Sequence, residues 1–433
     1  MYEASRQLAR QIFTEAMQAS TIASASARAL RVEDNTLHAG EHTYNLADFR
    51  DAQIISLGKA GATLFDAVRP LLPTSLPTRS LICATSRPAS LTANDLYLCG
   101  GHPLPDLNSL AAASAALALL NKATEHTLVL FLISGGASAM FEEPLDPAVT
   151  FDELQEFYRQ LIGCGAPIQQ INTVRKHLSA VKGGRLAVAA GASTKLSLLV
   201  SDVPATAIDA LASGPTLPDP STTEDAHAVV REFLPNLPLR IRTALDRAAE
   251  TPKATHPAFA NASHLTLLDN DTLLHAASEA AERLGFNVHI DNTCDDWTYD
   301  RAADYLITRA TQLASDGGKH CLLSGGEVTV TLPATHGTGG RNQQLTLYAA
   351  LHLPDGLTLL SAGSDGIDGN SPAAGAVADP TTLDRGKYHN LDAQTALTRF
   401  DAGTFFATLG DALLSGPSGN NLRDIRILLS GVS

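Results

Sequence analysis

The chain has 433 residues, 44% of them hydrophobic, and a formal net charge of −14. That length exceeds one ordinary core and implies two domains, while an acidic balance without a lysine-arginine cluster or aromatic ladder excludes a nucleic-acid partner. No apolar stretch is long enough to span a bilayer, so no membrane partner is expected. Five cysteines without CxxC spacing (Cys83, Cys99, Cys164, Cys294, Cys321) argue against a zinc ribbon or disulfide framework and read as buried thiols of a reducing compartment. Glu3, Arg6, Arg10 and Glu15 interrupt the N-terminal apolar pattern, which leaves no signal-peptide core and points to a cytoplasmic protein.

In chain order, residues 3–30 read as an alanine-rich amphipathic helix, with Leu8, Ile12 and Met17 near helical spacing. Strands are expected at 52–57, 81–85, 95–99, 127–133 and 196–201, separated by helices at 106–122, 151–162 and 170–190. That alternation predicts a layered α/β domain. The segment Thr251–Ser263, with two prolines and no periodicity, marks a boundary, giving domains of 1–250 and 264–433. The second is also α/β, with strands at 264–268, 286–290, 320–324, 327–332 and 357–361 and helices at 271–284, 300–315 and 341–351.

Five apolar runs end in serine, glycine or aspartate: 54–61, 128–138, 196–204, 321–330 and 357–369. Glycine at the end of a parallel strand lets the backbone approach a ligand closely, and open α/β sheets bind ligands there. The same residues also serve plain turn and capping geometry. The ligand-cradling candidates are Ser134, Gly135, Gly136 and Ser138, with their echo at Ser324, Gly325 and Gly326. Facing strand ends of two domains would enclose a cleft.

Lys59 lies between Gly58 and Gly61, where a cation can reach a phosphate at a helix N-terminus. The glycine-rich segment 336–344 delivers Arg341, with Asn342 beside it, and arginine offers a planar donor fork for phosphoryl or carboxylate oxygens. Asp365 and Asp368 occupy another glycine-rich loop, suited to Mg²⁺ or to a hydroxyl proton, and Asp202 and Glu327 are further strand-end carboxylates. Cations and carboxylates around glycine loops suit phosphoryl transfer. Arg175, Lys176, His177 and Lys182 form a basic helix face, either solvated or an anchor for a carboxylate substrate.

These motifs resemble the glycerate 2-kinases with a MOFRL C-terminal domain. The shared words are SLGKAG at 56–61, GGHPLPD at 100–106, LISGGASAM at 132–140, INTVRKHLSAVKGGRLA at 171–187, LASGPTLPDPST at 211–222, SGGEVTV at 324–330, GGRNQ at 339–343 and GSDGIDG at 363–369. The resemblance implies a Rossmann-like N-terminal domain, a MOFRL C-terminal domain and an active site in the cleft between them. It further implies ATP- and Mg²⁺-dependent phosphorylation of D-glycerate at its 2-hydroxyl. Lys59 and Arg341 match the family's phosphate-handling cations and Asp365 and Asp368 its acidic loop; with them, Asp202, Glu327 and Asp365 are candidate metal ligands. A homodimer is left open.

The chain departs from the family pattern in places. Ala205, Thr206 and Ala207 stand where Gly-Asp-Asp is usual, Pro372 replaces an aspartate, Gln344 replaces a glutamate, and the closing loop reads GPSGNN at 416–421. Asp209 is the compensating carboxylate on sequence grounds. These departures keep two alternatives in view, a kinase for another short 2-hydroxy acid and a weakly active binding protein. A hydroxypyruvate reductase is disfavoured, because no G-x-G-x-x-G string joins a strand to a helix.

Overall fold

The run TLVLFLIS at Thr127–Ser134 offers no polar face to water, so it is stable only between two covering layers. In the computed structural model, which describes residues 2–432, all eight of its residues are buried. The residues 25–267 form one compact unit. It opens with an antiparallel meander of β1 (Leu30–Glu33), β2 (Thr36–Ala39) and β3 (His42–Asn45). Its main sheet has six strands: β4 (Asp51–Leu57), β5 (Thr78–Cys83), β6 (Asp95–Leu98), β7 (Thr127–Ser134), β8 (Thr194–Val200) and β9 (Ala262–Leu268), in the order β6-β5-β4-β7-β8-β9.

The pairs β6/β5, β5/β4, β4/β7 and β7/β8 are parallel. Counted from β4 this is the 3-2-1-4-5-6 order of a Rossmann-type sheet. The helix Gly61–Val68 packs on β4, β5 and β7, and Leu107–Leu120, started by an Asp106–Ser109 capping box, packs on β4, β5 and β6. Ile55, Leu57, Val129, Phe131 and Ile133 share one core with Ala112, Ala113, Ala116 and Leu120 of the second helix. A second core, around Phe157, Tyr158, Val174, Val230 and Leu245, joins the helices Phe151–Gly163, Ile168–Leu178, Thr223–Phe233 and Leu239–Arg247.

The other unit comprises Met1–Ser24 and Leu268–Ser433. Its sheet holds β10 (Asn287–Ile290), β11 (His320–Gly326), β12 (Thr358–Gly363), β13 (Gly375–Ala378) and β14 (Asp424–Ser430), in the order β10-β11-β14-β12-β13. Only β10/β11 is parallel among its pairs; β14 inserts antiparallel between β11 and β12.

Several expectations change. Residues 3–30 are two helices, Tyr2–Ala19 and Ile22–Ala29, with Thr21 Oγ1 accepting from the Ser24 N–H at 3.1 Å where the second begins. The first buries Ala9, Ile12, Phe13 and Ala16 against the helix Asn270–Arg283 and strands β12, β13 and β14, and its buried Arg6 pairs with Asp379. It therefore belongs with the C-terminal residues and not with a 1–250 domain. The strand expected at 264–268 is β9, part of the first sheet, so the boundary falls after it. The expected helix at 170–190 breaks after Leu178 and resumes at Arg185–Ala189, because Gly183 (φ +55°) and Gly184 (φ +83°) adopt left-handed backbone. Residues 327–332 form no strand beyond one bridge from Thr329 to Thr298. Of the cysteines, Cys99 is exposed and Cys164 half-buried.

Candidate functional site

In an open parallel sheet, the crevice for ligands lies where the strand order reverses. Here that point is between β4 and β7, and both strands run out into glycines. Gly58 has φ +101°, and a side chain on it would overlap Ser134. Ser134 Oγ donates to Leu57 O (3.2 Å) and accepts from the Ala60 N–H (3.0 Å), so this buried serine ties the two strand ends together. The Lys59 N–H donates to Gly135 O at 2.9 Å. The aliphatic stem of Lys59 lies over Gly136, and the Asp202 carboxylate lies over Gly135, each where a Cβ would stand. Lys59 is exposed and makes no salt bridge among the described residues.

The basic face of the helix Ile168–Leu178 is buried, not solvated. Ser138 Oγ lies 2.9 Å from Ser213 Oγ, which donates to Asn172 Oδ1 (3.0 Å); Arg175 Nη1 donates to the same oxygen at 3.4 Å. The Arg175 guanidinium sits over the Tyr158 ring, 5.2 Å from its centroid. The Tyr158 hydroxyl donates to Glu142 and lies 3.1 Å from Ser138 O, and Glu142 also receives the buried Lys182 Nζ at 2.6 Å. Lys182 is thus matched by a carboxylate, whereas Arg175 is not. Arg175 is 8% exposed, makes no salt bridge among the described residues, and its Nε is buried without a hydrogen-bond partner. Burying a charge without an opposite one costs several kcal/mol, so such a group is poised for an anion. His102 is held below the usual imidazole range first by burial and then by the charges of Lys59 and Arg175, so it lies within electrostatic reach of each.

Lys176 is committed elsewhere, to Asp209 at 2.6 Å and Asp219 at 3.1 Å. Burial acts to raise the Asp219 carboxyl, but Lys176 with Ser221 and Thr251 outweighs it and holds the group low. Asp209, on the short helical segment Ala205–Ser213, is therefore spent on Lys176, while Ala205 and Thr206 begin that segment exposed.

In the other unit, Arg341 opens the helix Arg341–Ala350 after Gly339 and Gly340. Its Nε donates to Asp424 Oδ2 (2.6 Å) and its Nη2 to Asp424 Oδ1 (3.0 Å), and Nη2 is 2.7 Å from Glu327 Oε1. Asp424 is buried on β14, in register with Gly326 of β11 and Gly363 of β12. Burial would lower the Arg341 pKa, but Asp424 and Glu327 outweigh it and raise it. Burial pushes the Glu327 carboxyl up, with Arg341 opposing. A pocket of about 500 Å³ opens beside Arg341, with Asn342, Asp365 and Asp368 on its wall.

Asp368 is a cap. Its carboxylate accepts the N–H groups of Asn342 (3.0 Å) and Gln343 (2.7 Å) at the start of the helix. Burial nevertheless pushes its pKa from 3.8 up to about 6. A raised native pKa means that the folded state binds the proton more tightly, so this stabilisation is complete below pH 3.8 and disappears as the pH rises through about 6. Compared with Asp368→Asn, the wild type should gain melting temperature between pH 7 and pH 4. A parallel pH dependence in both proteins would show that Asp368 does not titrate in this window.

Asp365 accepts the Ile367 N–H (3.1 Å) and is half-buried. Asn342 is buried, its Oδ1 accepting from Ser361 Oγ at 2.6 Å. Gln344 Nε2 donates to Leu397 O at 2.9 Å, a bond that a glutamate there would not make. Ser324, Gly325 and Gly326 lie within β11 and are buried. Their glycines make room for Asn270 and Asp295, and the fully buried Arg426 donates to Gly325 O and Gly326 O, both at 2.8 Å. Among the described residues, no group of three or more His, Cys, Asp or Glu side chains is placed to hold a metal ion, so Asp202, Glu327 and Asp365 are not one ready-made set. Asp424, His102, Tyr158 and Glu142 escaped the sequence reading, although His102 lies inside the GGHPLPD word.

No helix among the described residues is long and apolar enough to cross a membrane. A family model described as a domain of unknown function, DUF4147, matches residues 8–246, and the MOFRL family model matches residues 320–424. The glycerate 2-kinase of Pyrococcus horikoshii is 30% identical, over 98% of this chain and 97% of its own length. The D-glycerate 2-kinase of Thermotoga maritima is 36% identical, over 76% of this chain and 78% of its own. The crystal structure of the Thermotoga maritima glycerate kinase superposes with a TM-score of 0.86 at 30% identity, covering 99% of this chain and 100% of that one. With both domain matches in order and kinase relatives aligned over most of its length, the chain belongs to the DUF4147–MOFRL family that includes the glycerate 2-kinases.

Proposed function

We propose that the protein transfers the γ-phosphoryl group of ATP to the 2-hydroxyl of D-glycerate, giving 2-phospho-D-glycerate and ADP. The observation that carries this reading is Arg175, buried without a carboxylate, in the same unit as the exposed ammonium of Lys59 beside the glycines at the sheet's switch point, both cations acting on His102. A short hydroxy acid needs a fixed planar donor for its carboxylate, and Arg175 is fixed by Tyr158 and Asn172. A transferring phosphoryl group needs a cation on its equatorial oxygens, and Lys59 has the reach and no competing partner. Asp202, over the same glycines, supplies a carboxylate for the hydroxyl proton. Arg341, held by Asp424 and Glu327, serves the nucleotide's phosphates.

Mg²⁺ is ordinarily held by one or two carboxylates together with substrate phosphates, not by an all-protein cage. Asp365 fits that role, since it lines the pocket beside Arg341 and pairs with no cation among the described residues. The ion would spread the negative charge of the nucleotide phosphates. The five free cysteines suit a cytoplasmic setting.

The test is to incubate the protein with D-glycerate, ATP and Mg²⁺ and to couple the product to enolase, which accepts the 2-phosphate. Signal establishes both the reaction and its regiochemistry. Turnover with another short 2-hydroxy acid but none with D-glycerate would move the acceptor. Arg175→Lys keeps the charge and loses the fork, so the KM for D-glycerate should rise about 10- to 100-fold, the worth of one hydrogen bond to a charged group. An unchanged KM would remove Arg175 from the acid's site.

A further inference from the structure

The pocket beside Arg341 has a character opposite to that of the cations around Lys59. Its wall carries Asp365 and Asp368, and its guanidinium is already matched by Asp424 and Glu327. Carboxylates in excess make it a poor host for a small organic acid. The rest of the wall sets an apolar strip of Val328, Val330, Leu332, Ile367 and Phe400 beside His336, Gln344, Asn370 and glycines. Its volume of about 500 Å³ falls within the range of roughly 300–1,000 Å³ typical of small-molecule sites. A three-carbon acid would fill only a minor part of it.

Phe400 stands out on this wall. Its φ of +52° is the left-handed position just past the helix Ala393–Thr398, closed as a Schellman motif by Phe400 N–H to Leu397 O (3.1 Å) and Asp401 N–H to Ala396 O (2.9 Å), a place usually held by glycine. The surrounding backbone enforces it. The Gly337 N–H donates to Arg399 O (3.0 Å), the Thr338 N–H to Asp401 Oδ1 (2.9 Å) and the Gly403 N–H to Thr338 O (2.7 Å), so segments 399–403 and 337–340 are laced together. The ring also rests edge-on against Tyr299, 6.4 Å between centroids. An aromatic ring thus fixed beside an apolar strip is the surface a flat heterocycle prefers. Of the Arg341 nitrogens, only Nη1 is left without a protein partner among the described residues.

We propose that this pocket takes the nucleoside of ATP, its base against Phe400 and the strip from Val328 to Leu332, with Arg341 Nη1 donating to the phosphates. The assignment rests on the kinase reading above. It accounts for the acidic residues on this pocket's wall, since a neutral base and metal-bound phosphates tolerate carboxylates that would repel a bare acid.

The experiment is calorimetric titration of the full-length protein with ADP, alongside the enolase-coupled assay. Phe400→Ala should weaken ADP about tenfold or more, Phe400→Tyr should restore it, and neither should move the KM for D-glycerate. Leu332→Asp gives a second probe that does not threaten folding, because Leu332 is 53% exposed on an irregular segment; it too should weaken ADP. If Phe400→Ala and Leu332→Asp bind ADP as the wild type does and still phosphorylate glycerate, the nucleoside sits elsewhere and the kinase reading survives. If the wild type neither binds ADP nor makes 2-phosphoglycerate, the kinase reading itself falls.

Discussion

Replacing Lys59 with methionine lowers phosphoryl transfer about 10²- to 10³-fold, the usual loss for one well-placed electrostatic donor, and leaves the melting temperature unchanged. The two halves of this expectation come from different atoms. The backbone of Lys59 does the structural work, its N–H bonding Gly135 O at 2.9 Å, and a methionine retains that bond. The stem over Gly136 is aliphatic, and methionine covers the same surface. Only the ammonium is lost, and it makes no salt bridge among the described residues, so no buried carboxylate is stranded. Measured by enolase coupling and thermal unfolding, a variant with near-normal kcat would take Lys59 out of the chemistry. A variant that unfolds would mean that the ammonium has a structural partner.

Arg341 behaves differently. Arg341→Ala should abolish turnover and also destabilise the protein by about 2–3 kcal/mol, because it strips a buried carboxylate of its bidentate partner. The figure is set below the usual cost of breaking a buried pair because the Arg341 side chain is 35% exposed, although that of Asp424 is only 1% exposed. The double variant Arg341→Ala/Asp424→Asn should recover most of the stability and none of the activity, since an amide carries no charge to strand. Denaturant midpoints read the first quantity and the coupled assay the second. Full stability in Arg341→Ala would show that Asp424 finds another partner. Activity in the double variant would show that Arg341 is not needed for transfer.

The sequence announced its parallel strands well, because a strand buried on both faces has nowhere to hide polar residues. β4, β7 and β8 therefore fall within a residue or two of where apolar runs place them. β14 was missed because DIRILLS looks half-polar: its Asp424 and Arg426 are buried against partners from remote segments, and burial is what makes the run a central strand. The same long-range pairing misled the reading of Ser324-Gly325-Gly326. Identical words end β7 at the sheet's switch point and lie inside β11, where the missing side chains admit Asn270 and Asp295. Lys59 was legible from its flanking glycines. Asp368 as a cap, Lys176 as a structural ion pair and Asp424 as the grip on Arg341 were not, since each is defined by a partner 25 or more residues away.

The helix Tyr2–Ala19 docks on β14, the last strand of the chain. Its partners lie beyond residues 25–267, a continuous insert, so during translation its apolar face has nothing to pack on until that insert has been made. A chain that stops before residue 270 leaves Ile12 and Phe13 without the helix Asn270–Arg283 and the strands β12, β13 and β14 that cover them. A version of the C-terminal unit expressed alone must carry residues 1–24 in cis or receive them as a separate peptide.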